Sequence, residues 1–242
     1  MIPLIYAHRG ASGHYPENTM EAFHGALRQR ADGIELDVQL SQDEEAVVIH
    51  DHRLERTTDG RGSVQDFTLD ELRQFHAGKP FGQRFSEARI PSLADVLQEL
   101  ALTPLRFNIE LKNLFVPQPG LEEKVVTLVR KHRLTRRTVI SSFNFDSLRR
   151  IKQLNPRQKT GLLYMGPLRR PWEVAIRYEA DQLHVPNEEL TPSLVKQAKA
   201  NGLQVMVWTV DDPERIRECR RMGVDGIITN YPLRARKQLV RR

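Results

Sequence analysis

The sequence has a single cysteine among its 242 residues and no long apolar run. One cysteine, Cys219, excludes an intramolecular disulfide framework and a cysteine-based zinc site. No stretch approaches the roughly 20 apolar residues that a transmembrane helix needs, and the amino terminus lacks the basic start of a signal peptide. The sequence therefore predicts a cytoplasmic protein without stable membrane insertion.

Recognition signals for nucleic acid are also missing. There is no zinc finger, no RNA-binding aromatic signature and no basic stripe interleaved with aromatics. The 37 basic residues nevertheless outnumber the 31 acidic ones, which gives a formal net charge of +6. We therefore expect no nucleic-acid partner, and the positive charge favours a small anionic ligand, phosphates in particular.

Short apolar strands alternate with helical stretches along nearly the whole chain. The last five predicted strands begin at residues 138, 160, 182, 203 and 225, so each step of about 22 residues holds one strand, one helix and two loops. Parallel neighbours require such crossovers. The predicted barrel strands are Pro3–His8, Gly33–Leu40, Leu105–Leu111, Thr138–Ser142, Thr160–Tyr164, Gln182–Val185, Leu203–Trp208 and Asp225–Thr229.

Eight βα units in about 250 residues match the size of a TIM (β/α)8 barrel. An open doubly wound sheet is the alternative. It normally has fewer strands and a glycine-rich first turn, and the stretch from Gly10 to Gly13 lacks the G-x-G-x-x-G spacing of that turn. The sequence therefore favours the barrel.

One segment departs from the regular alternation. A short polar turn at residues 41–44 leads from the second predicted strand to apolar Ala46–Ile49, and so tight a connection can only make an antiparallel hairpin. Residues 51–91 then hold several turn-forming glycines and a short predicted helix at Leu69–Phe75. We predict that residues 1–242 form a single barrel domain, with 51–91 as a small insertion after the second barrel strand.

Three carboxylates are predicted to point into the barrel. Glu35 and Asp37 share a face because residues i and i+2 of a strand point the same way, and Glu110 lies on the next barrel strand. Oxygen ligands of this kind suit a hard divalent cation, Mg²⁺ or Ca²⁺. The alternative is an ion-pair network in which Lys112 neutralises Glu110. Because Glu110 lies at the same depth in the barrel as Glu35 and Asp37, the three carboxylates together favour a metal site over an ion-pair network.

Two histidines are predicted at the same end of the barrel. His8 ends the first strand. If the hairpin turn centres near residues 42–44, His50 lies beside Glu35, Leu36 or Asp37. Because imidazole titrates near working pH, two histidines at a metal-bearing mouth favour an acid–base pair.

Other side chains extend the predicted mouth. Arg9 and Lys112 would supply positive charge for an anionic substrate. Trp208 ends the seventh predicted barrel strand. We expect its side chain equally as a wall of the substrate pocket or as part of the core. His52 and His184 have no assigned role at this point.

A series of short motifs occurs in order along the chain. They are His8-Arg9-Gly10, Pro16-Glu17-Asn18-Thr19, Glu35-Leu36-Asp37-Val38, Val47-Val48-Ile49-His50-Asp51, Arg56-Thr57-Thr58-Asp59-Gly60, Asn108-Ile109-Glu110-Leu111-Lys112, Val207-Trp208-Thr209-Val210 and Gly226-Ile227-Ile228-Thr229-Asn230. Together these motifs resemble the glycerophosphodiester phosphodiesterase family, in its bacterial cytosolic form. The resemblance spans the chain from His8 to Pro232.

The resemblance implies a TIM barrel with a small insertion, a divalent cation, and hydrolysis of glycerophosphodiesters to sn-glycerol 3-phosphate and an alcohol. Matched motif by motif, it implies a role for each candidate: His8 and His50 as the acid–base pair, Glu35, Asp37 and Glu110 as metal ligands, Arg9 and Lys112 as phosphate contacts, and Trp208 as part of the pocket. The partner would be a small-molecule substrate. Head group, choice of Mg²⁺ or Ca²⁺, the nucleophile (water or a glycerol hydroxyl) and oligomeric state are left open.

Two departures from the family pattern are visible. Asp43-Glu44 stands where the family often has Asp-Gly, and Asn230 stands where it often has Asp. We expect neither to touch the proposed chemistry.

Two other functions compete with the leading one. A phospholipase C- or lysophospholipase D-like enzyme acting on lipids would need an exposed apolar rim, and no long apolar lip is visible in the sequence. A non-catalytic barrel that binds phosphorylated ligands would have no need of two titratable histidines beside a metal.

Overall fold

Eight parallel strands close into a barrel in the computed structural model, which describes residues 2–240. Closure comes from the first strand, which pairs in parallel with both the second and the last. The strands are β1 (Leu4–His8), β2 (Gly33–Leu40), β3 (Ala46–Val48), β4 (Arg106–Leu111), β5 (Thr138–Ser142), β6 (Lys159–Leu163), β7 (Gln182–Pro186), β8 (Gln204–Trp208) and β9 (Gly226–Thr229). The predicted TIM barrel is therefore confirmed; the ends of the predicted domain, residues 1, 241 and 242, lie outside the described residues.

Helices cover the outside of the barrel. They are α1 (Met20–Arg28), α2 (Leu69–Leu72), α3 (Leu93–Leu100), α4 (Leu121–Lys131), α5 (Phe145–Leu154), α6 (Pro171–Arg177), α7 (Pro192–Ala200), α8 (Pro213–Met222) and α9 (Pro232–Val240). Several begin at a residue whose side chain accepts a backbone N–H of the first turn, such as Thr19 before α1 and Asp212 before α8. No helix of residues 2–240 is long and apolar enough to cross a membrane.

Successive side chains of β2 alternate between the apolar core outside the barrel and the inside of the barrel. Ile34, Leu36 and Val38 pack outward into an apolar cluster shared with the helices. Their neighbours Glu35 and Asp37 therefore point into the barrel, where both are buried.

The hairpin and the insertion lie at one side of the barrel mouth. Strand β3 pairs antiparallel with β2, with Val38 opposite Val48, so the hairpin forms in the predicted register. The segment that follows has a small apolar cluster of its own, formed by Val47, Ile49, Leu54, Val64, Leu72, Ala77 and Ile90. This cluster joins the insertion to β3 and so fixes it beside the mouth.

The largest differences from the predictions concern three helices. Helix α3 was not predicted, although Ser92 and Asp95 form a capping box at its start. Helix α9 was not predicted either. Helix α2 ends at Leu72 rather than at Phe75, and the chain leaves the helix there to pack the ring of Phe75 edge-on against Phe67.

Candidate active site

Glu35, Asp37 and Glu110 form an acidic cluster at the carboxyl end of the barrel strands. The parallel register of β2 and β4 sets Asp37 directly opposite Glu110. One carboxylate oxygen from each of the three residues lies within 4.8 Å of the others. The arrangement that strand alternation predicts is therefore present, and all the ligand atoms that it offers are hard oxygen donors.

Two cations flank the acidic cluster. Lys112 Nζ lies 2.7 Å from Glu110 Oε1 and 3.7 Å from Asp37 Oδ1. Arg9 Nε lies 3.3 Å from Asp37 Oδ2, and the backbone N–H of Arg9 donates to Glu35 Oε2 at 2.9 Å. Lys112 thus does neutralise Glu110, as the ion-pair alternative required. Three carboxylates against two cations still leave one negative charge uncompensated.

The pKa values of the cluster reflect this imbalance. Burial raises the pKa of Glu35 well above its usual range, and the charges of Asp37 and Glu110 add to the effect. Burial, opposed by Lys112 and supported by Asp37, raises the pKa of Glu110 to about 7. Burial also works to raise the pKa of Asp37, but Arg9 and Lys112 outweigh it and the pKa falls below its ordinary value. The donor set and its unbalanced charge fit a divalent cation.

His8 ends β1 and faces the cluster from the neighbouring strand. Its Nδ1 lies 2.8 Å from Asn230 Oδ1. Asn230 in turn donates through Nδ2 to Asp211 Oδ2 at 2.6 Å, which turns the amide oxygen toward the imidazole. The proton of neutral His8 therefore sits on Nδ1, and Nε2 is the acceptor. Burial, with a contribution from Arg9, lowers the pKa of His8 to about 4.

The prediction that Asn230 does not touch the candidate chemistry is therefore wrong. The side chain of Asn230 contacts the imidazole directly, and it also accepts a hydrogen bond from Ser12 Oγ at 2.8 Å. The residue lies 222 positions from His8 in the chain, so only the closure of the barrel brings the two together.

His50 follows β3 and reaches the cluster from the opposite side. The backbone N–H of Ile49 donates to the carbonyl of Asp37, which places His50 at the depth that the hairpin register predicts. Its Nδ1 lies 2.6 Å from Asp51 Oδ1, and its Nε2 lies 3.2 Å from Lys112 Nζ. Burial lowers the pKa of His50, and together with the charges of Arg9 and Lys112 it outweighs the raising effects of Asp37 and Asp51.

A cavity of about 210 Å³ opens above these groups. Its polar side is formed by His8, Arg9, His50, His52, Glu110 and Lys112. Its apolar side includes Phe143 and Trp208, whose rings meet edge to face with centroids 5.8 Å apart. Trp208 is therefore a wall of the cavity, and its indole N–H donates to the carbonyl of His184 at 3.2 Å.

An exposed apolar rim surrounds the entrance. It consists of Leu114, Phe115 and Met165, which are 46%, 76% and 59% exposed. The sequence shows no long apolar lip, and the structure adds this rim of separate side chains. Leu114 and Phe115 follow β4 and Met165 follows β6, so no continuous apolar run marks the rim in the sequence.

The two unassigned histidines differ in position. His52 lines the cavity, and its Nδ1 lies 2.6 Å from Gln39 Oε1. His184 points into the barrel but is fully buried below the cavity floor, against Gly161 and 3.0 Å from Gln182 Oε1. Burial lowers the pKa of His184 to about 3, so it is neutral at ordinary pH. Only His52 is placed to meet a ligand.

Known proteins with this sequence pattern share its fold and family. Residues 8–234 match the model of the glycerophosphoryl diester phosphodiesterase family. A glycerophosphodiester phosphodiesterase from Caldanaerobacter subterraneus subsp. tengcongensis is 45% identical over 232 residues, which cover 96% of each chain.

Two solved structures extend the comparison. An Oleispira antarctica phosphodiesterase, determined in complex with the product sn-glycerol-3-phosphate, superimposes with a TM-score of 0.90 at 31% identity, covering 98% of this chain and 97% of that one. A glycerophosphodiester phosphodiesterase from Agrobacterium tumefaciens gives a TM-score of 0.85 at 32% identity, with 97% and 99% covered. The chain belongs to the glycerophosphoryl diester phosphodiesterase family.

Proposed function

We propose that this protein hydrolyses glycerophosphodiesters to sn-glycerol 3-phosphate and an alcohol, with a divalent cation, Mg²⁺ or Ca²⁺, held by Glu35, Asp37 and Glu110. The observation that carries the proposal is the meeting of three carboxylates, two histidines and two cations at one barrel mouth. The named activity of the 45% identical relative and the product bound to the Oleispira enzyme support it. We also propose a cytoplasmic location, on the composition of the sequence alone.

The cation, when bound, would neutralise negative charge on the phosphate oxygens as the transition state forms. Arg9 and Lys112 already lie beside the carboxylates and would bind the remaining phosphate oxygens. Trp208 and Phe143 would exclude water from the apolar side of the cavity.

Proton transfer would fall to His8 and His50. Each imidazole makes its hydrogen bond to a protein oxygen through Nδ1, so Nε2 is the nitrogen that faces the site, where that of His50 lies 3.2 Å from Lys112 Nζ. One histidine, neutral, would accept the proton of the attacking oxygen at Nε2, and the other, in its charged form with a proton on Nε2 as well, would donate that proton to the leaving alkoxide. The attacking oxygen is that of water or of the neighbouring glycerol hydroxyl.

The test is an assay of the purified protein on glycerophosphocholine, glycerophosphoethanolamine and glycerophosphoglycerol, which follows release of glycerol 3-phosphate. Chelator should abolish turnover, and Mg²⁺ or Ca²⁺ should restore it. A cationic head group lying against Trp208 would gain only about 0.5–2 kcal/mol. We therefore expect the three values of kcat/KM to lie within roughly 2- to 30-fold of each other. Full activity in metal-free chelator would contradict the metal assignment.

A lysophospholipase D-like activity is the second candidate, and the exposed rim of Leu114, Phe115 and Met165 favours it. An acyl chain leaving the cavity would cover these side chains and remove their apolar surface from water. The substrate would be a lysophospholipid, in which the glycerol carries one acyl chain.

The discriminating experiment replaces all three rim residues by serine. If a lysophospholipid is the substrate, kcat/KM for lysophosphatidylcholine below its micelle concentration should fall about tenfold, while kcat/KM for glycerophosphocholine stays the same. Ile176→Ser is the matched control, because Ile176 is an exposed apolar residue on α6 that does not line the cavity. Equal losses on both substrates would remove this candidate.

A further inference from the structure

Arg56, at the start of the insertion, lies between two carboxylates at the edge of the barrel mouth. Its Nε and Nη2 donate to the two oxygens of Asp51 at 2.6 and 3.0 Å. Its Nη1 and Nη2 donate to the two oxygens of Glu17 at 2.7 and 2.8 Å. The guanidinium therefore binds both carboxylates in a bidentate manner, a geometry that its planar fork allows and an ammonium does not.

Each of these carboxylates holds one member of the candidate active site. Asp51 Oδ1 lies 2.6 Å from His50 Nδ1. Glu17 Oε1 lies 2.8 Å from Arg9 Nη1. A continuous chain of hydrogen bonds thus runs from His50 through Asp51, Arg56 and Glu17 to Arg9, and joins the hairpin side of the mouth to the β1 side.

A role in stability alone explains this arrangement poorly. Arg56 is 47% exposed, and exposed ion pairs contribute little to folding. The insertion is held to the barrel by its own buried apolar cluster, which includes Leu54, Val64 and Leu72. Arg56 instead fixes the orientation of Asp51 and Glu17. In each of these carboxylates, one oxygen accepts a hydrogen bond from Arg56 and also bonds an active-site residue.

We propose that Arg56 is a positioning residue for the reaction, which fixes Asp51 and Glu17 in the orientations that place His50 and Arg9 against the substrate phosphate. The inference rests on the proposed function, in which His50 and Arg9 act on that phosphate. It makes the insertion a working part of the active site and not only an addition to the barrel.

The test compares Arg56→Ala and Arg56→Lys with the wild type on glycerophosphocholine, with saturating Mg²⁺. We expect kcat of Arg56→Ala to fall roughly 10- to 100-fold, the scale of a small misplacement of catalytic groups. The urea midpoint of unfolding should stay close to that of the wild type. Arg56→Lys should recover little, and millimolar guanidine should restore part of the lost kcat in Arg56→Ala but none in Arg56→Lys.

Arg53→Ala is the matched control. Arg53 comes from the same segment and is 68% exposed, but it pairs with Glu55 and not with the chain of hydrogen bonds described above. Its kcat should equal that of the wild type. Turnover of Arg56→Ala within twofold of the wild type would overturn the proposal, as would an equal loss in Arg53→Ala.

A second measurement does not depend on turnover. A ¹⁵N-resolved NMR spectrum of the histidine side chains reports the Nδ1–H of His50, which the bond to Asp51 protects. We expect this signal to be lost or broadened in Arg56→Ala and kept in Arg53→Ala. An unchanged His50 signal in Arg56→Ala would overturn the positioning role. A wild type that keeps the signal but hydrolyses no glycerophosphodiester would instead contradict the proposed function.

Discussion

Replacement of Glu35 by glutamine should stabilise the metal-free protein, the reverse of what loss of a buried hydrogen-bonded carboxylate usually does. Glu35 is buried beside two other carboxylates, with one oxygen of each within 4.8 Å of the others. Its charged form therefore meets both desolvation and like-charge repulsion. A glutamine has the same shape, and its amide oxygen can still accept the backbone N–H of Arg9, which donates to Glu35 at 2.9 Å.

The size of the effect follows from the distances. Two like charges 4.8 Å apart repel by about 3–4 kcal/mol at an effective dielectric constant of about 20. Glu35 faces two such charges, while Arg9 and Lys112 offset part of the repulsion. We therefore expect Glu35→Gln to raise the free energy of unfolding by about 1–3 kcal/mol in chelator at pH 8.

The raised pKa of Glu35 also determines how the stabilisation by Glu35→Gln depends on pH. Burial, then Asp37 and Glu110, raise the pKa of Glu35, so the folded protein binds this proton more tightly than the unfolded chain. The advantage of glutamine should therefore grow as the pH rises toward the raised pKa of Glu35 and vanish as the pH falls below the ordinary glutamate value of about 4.3. Bound cation should reverse the order, because a ligand at 100 times its Kd stabilises the wild type by about 2.7 kcal/mol.

The assay is urea unfolding followed by far-UV circular dichroism, in chelator and in 10 mM Mg²⁺ or Ca²⁺. Glu87→Gln serves as the control, since Glu87 is 90% exposed and far from any charge cluster of this kind. Two results would refute the reasoning. One is a Glu35→Gln variant less stable than the wild type in chelator at pH 8. The other is an equal gain in stability from the cation in both proteins.

Three further predictions concern histidines and their partners. His8→Ala and His50→Ala should each lower kcat by roughly 10²-fold or more, and near-normal turnover in a folded variant would remove that residue from proton transfer. Asn230→Ala should lower kcat about tenfold, because His8 loses the acceptor that fixes its tautomer; an unchanged kcat would contradict this. Because burial lowers the pKa of His184 to about 3, the wild type should lose stability as the pH falls from about 6.5 toward that value. At pH 4.5 the loss should be about 2–3 kcal/mol relative to His184→Gln in acid titrations of urea unfolding, and parallel curves for the two proteins would count against it.

The parts of the fold that follow from local periodicity could be predicted from the sequence. Strand β2 has the predicted bounds because the alternation of apolar and polar residues marks it clearly. Helix α3 carries an equally regular apolar stripe of Leu93, Val96, Leu97 and Leu100. It lies directly after the insertion, in a stretch for which no helix is predicted.

The candidate site likewise has residues that could be predicted from the sequence and contacts that could not. Glu35, Asp37 and Glu110 could be placed because strand alternation and parallel pairing are rules of geometry. The contact of Asn230 with His8 could not, since it depends on how the last strand meets the first. The rim of Leu114, Phe115 and Met165 could not either, because loops after different strands bring it together only once the barrel has closed.

The two histidines are held in the same tautomer by different means. Asn230 gives His8 a neutral acceptor whose hydrogen bond raises the pKa of the imidazole, but burial and the charge of Arg9 outweigh it and keep the pKa low. Asp51 gives His50 a carboxylate whose hydrogen bond raises the pKa of the imidazole, and Arg56 binds both oxygens of that carboxylate. Each imidazole thus keeps a proton on Nδ1, and the one that acts as acid carries a second proton on Nε2. An aspartate at position 230 would place a carboxylate beside Nδ1 of His8 and raise the pKa of that imidazole. Loss of the Arg56 guanidinium would remove two hydrogen bonds from the carboxylate that holds His50, so both positions act on the histidines without contacting the carboxylate cluster.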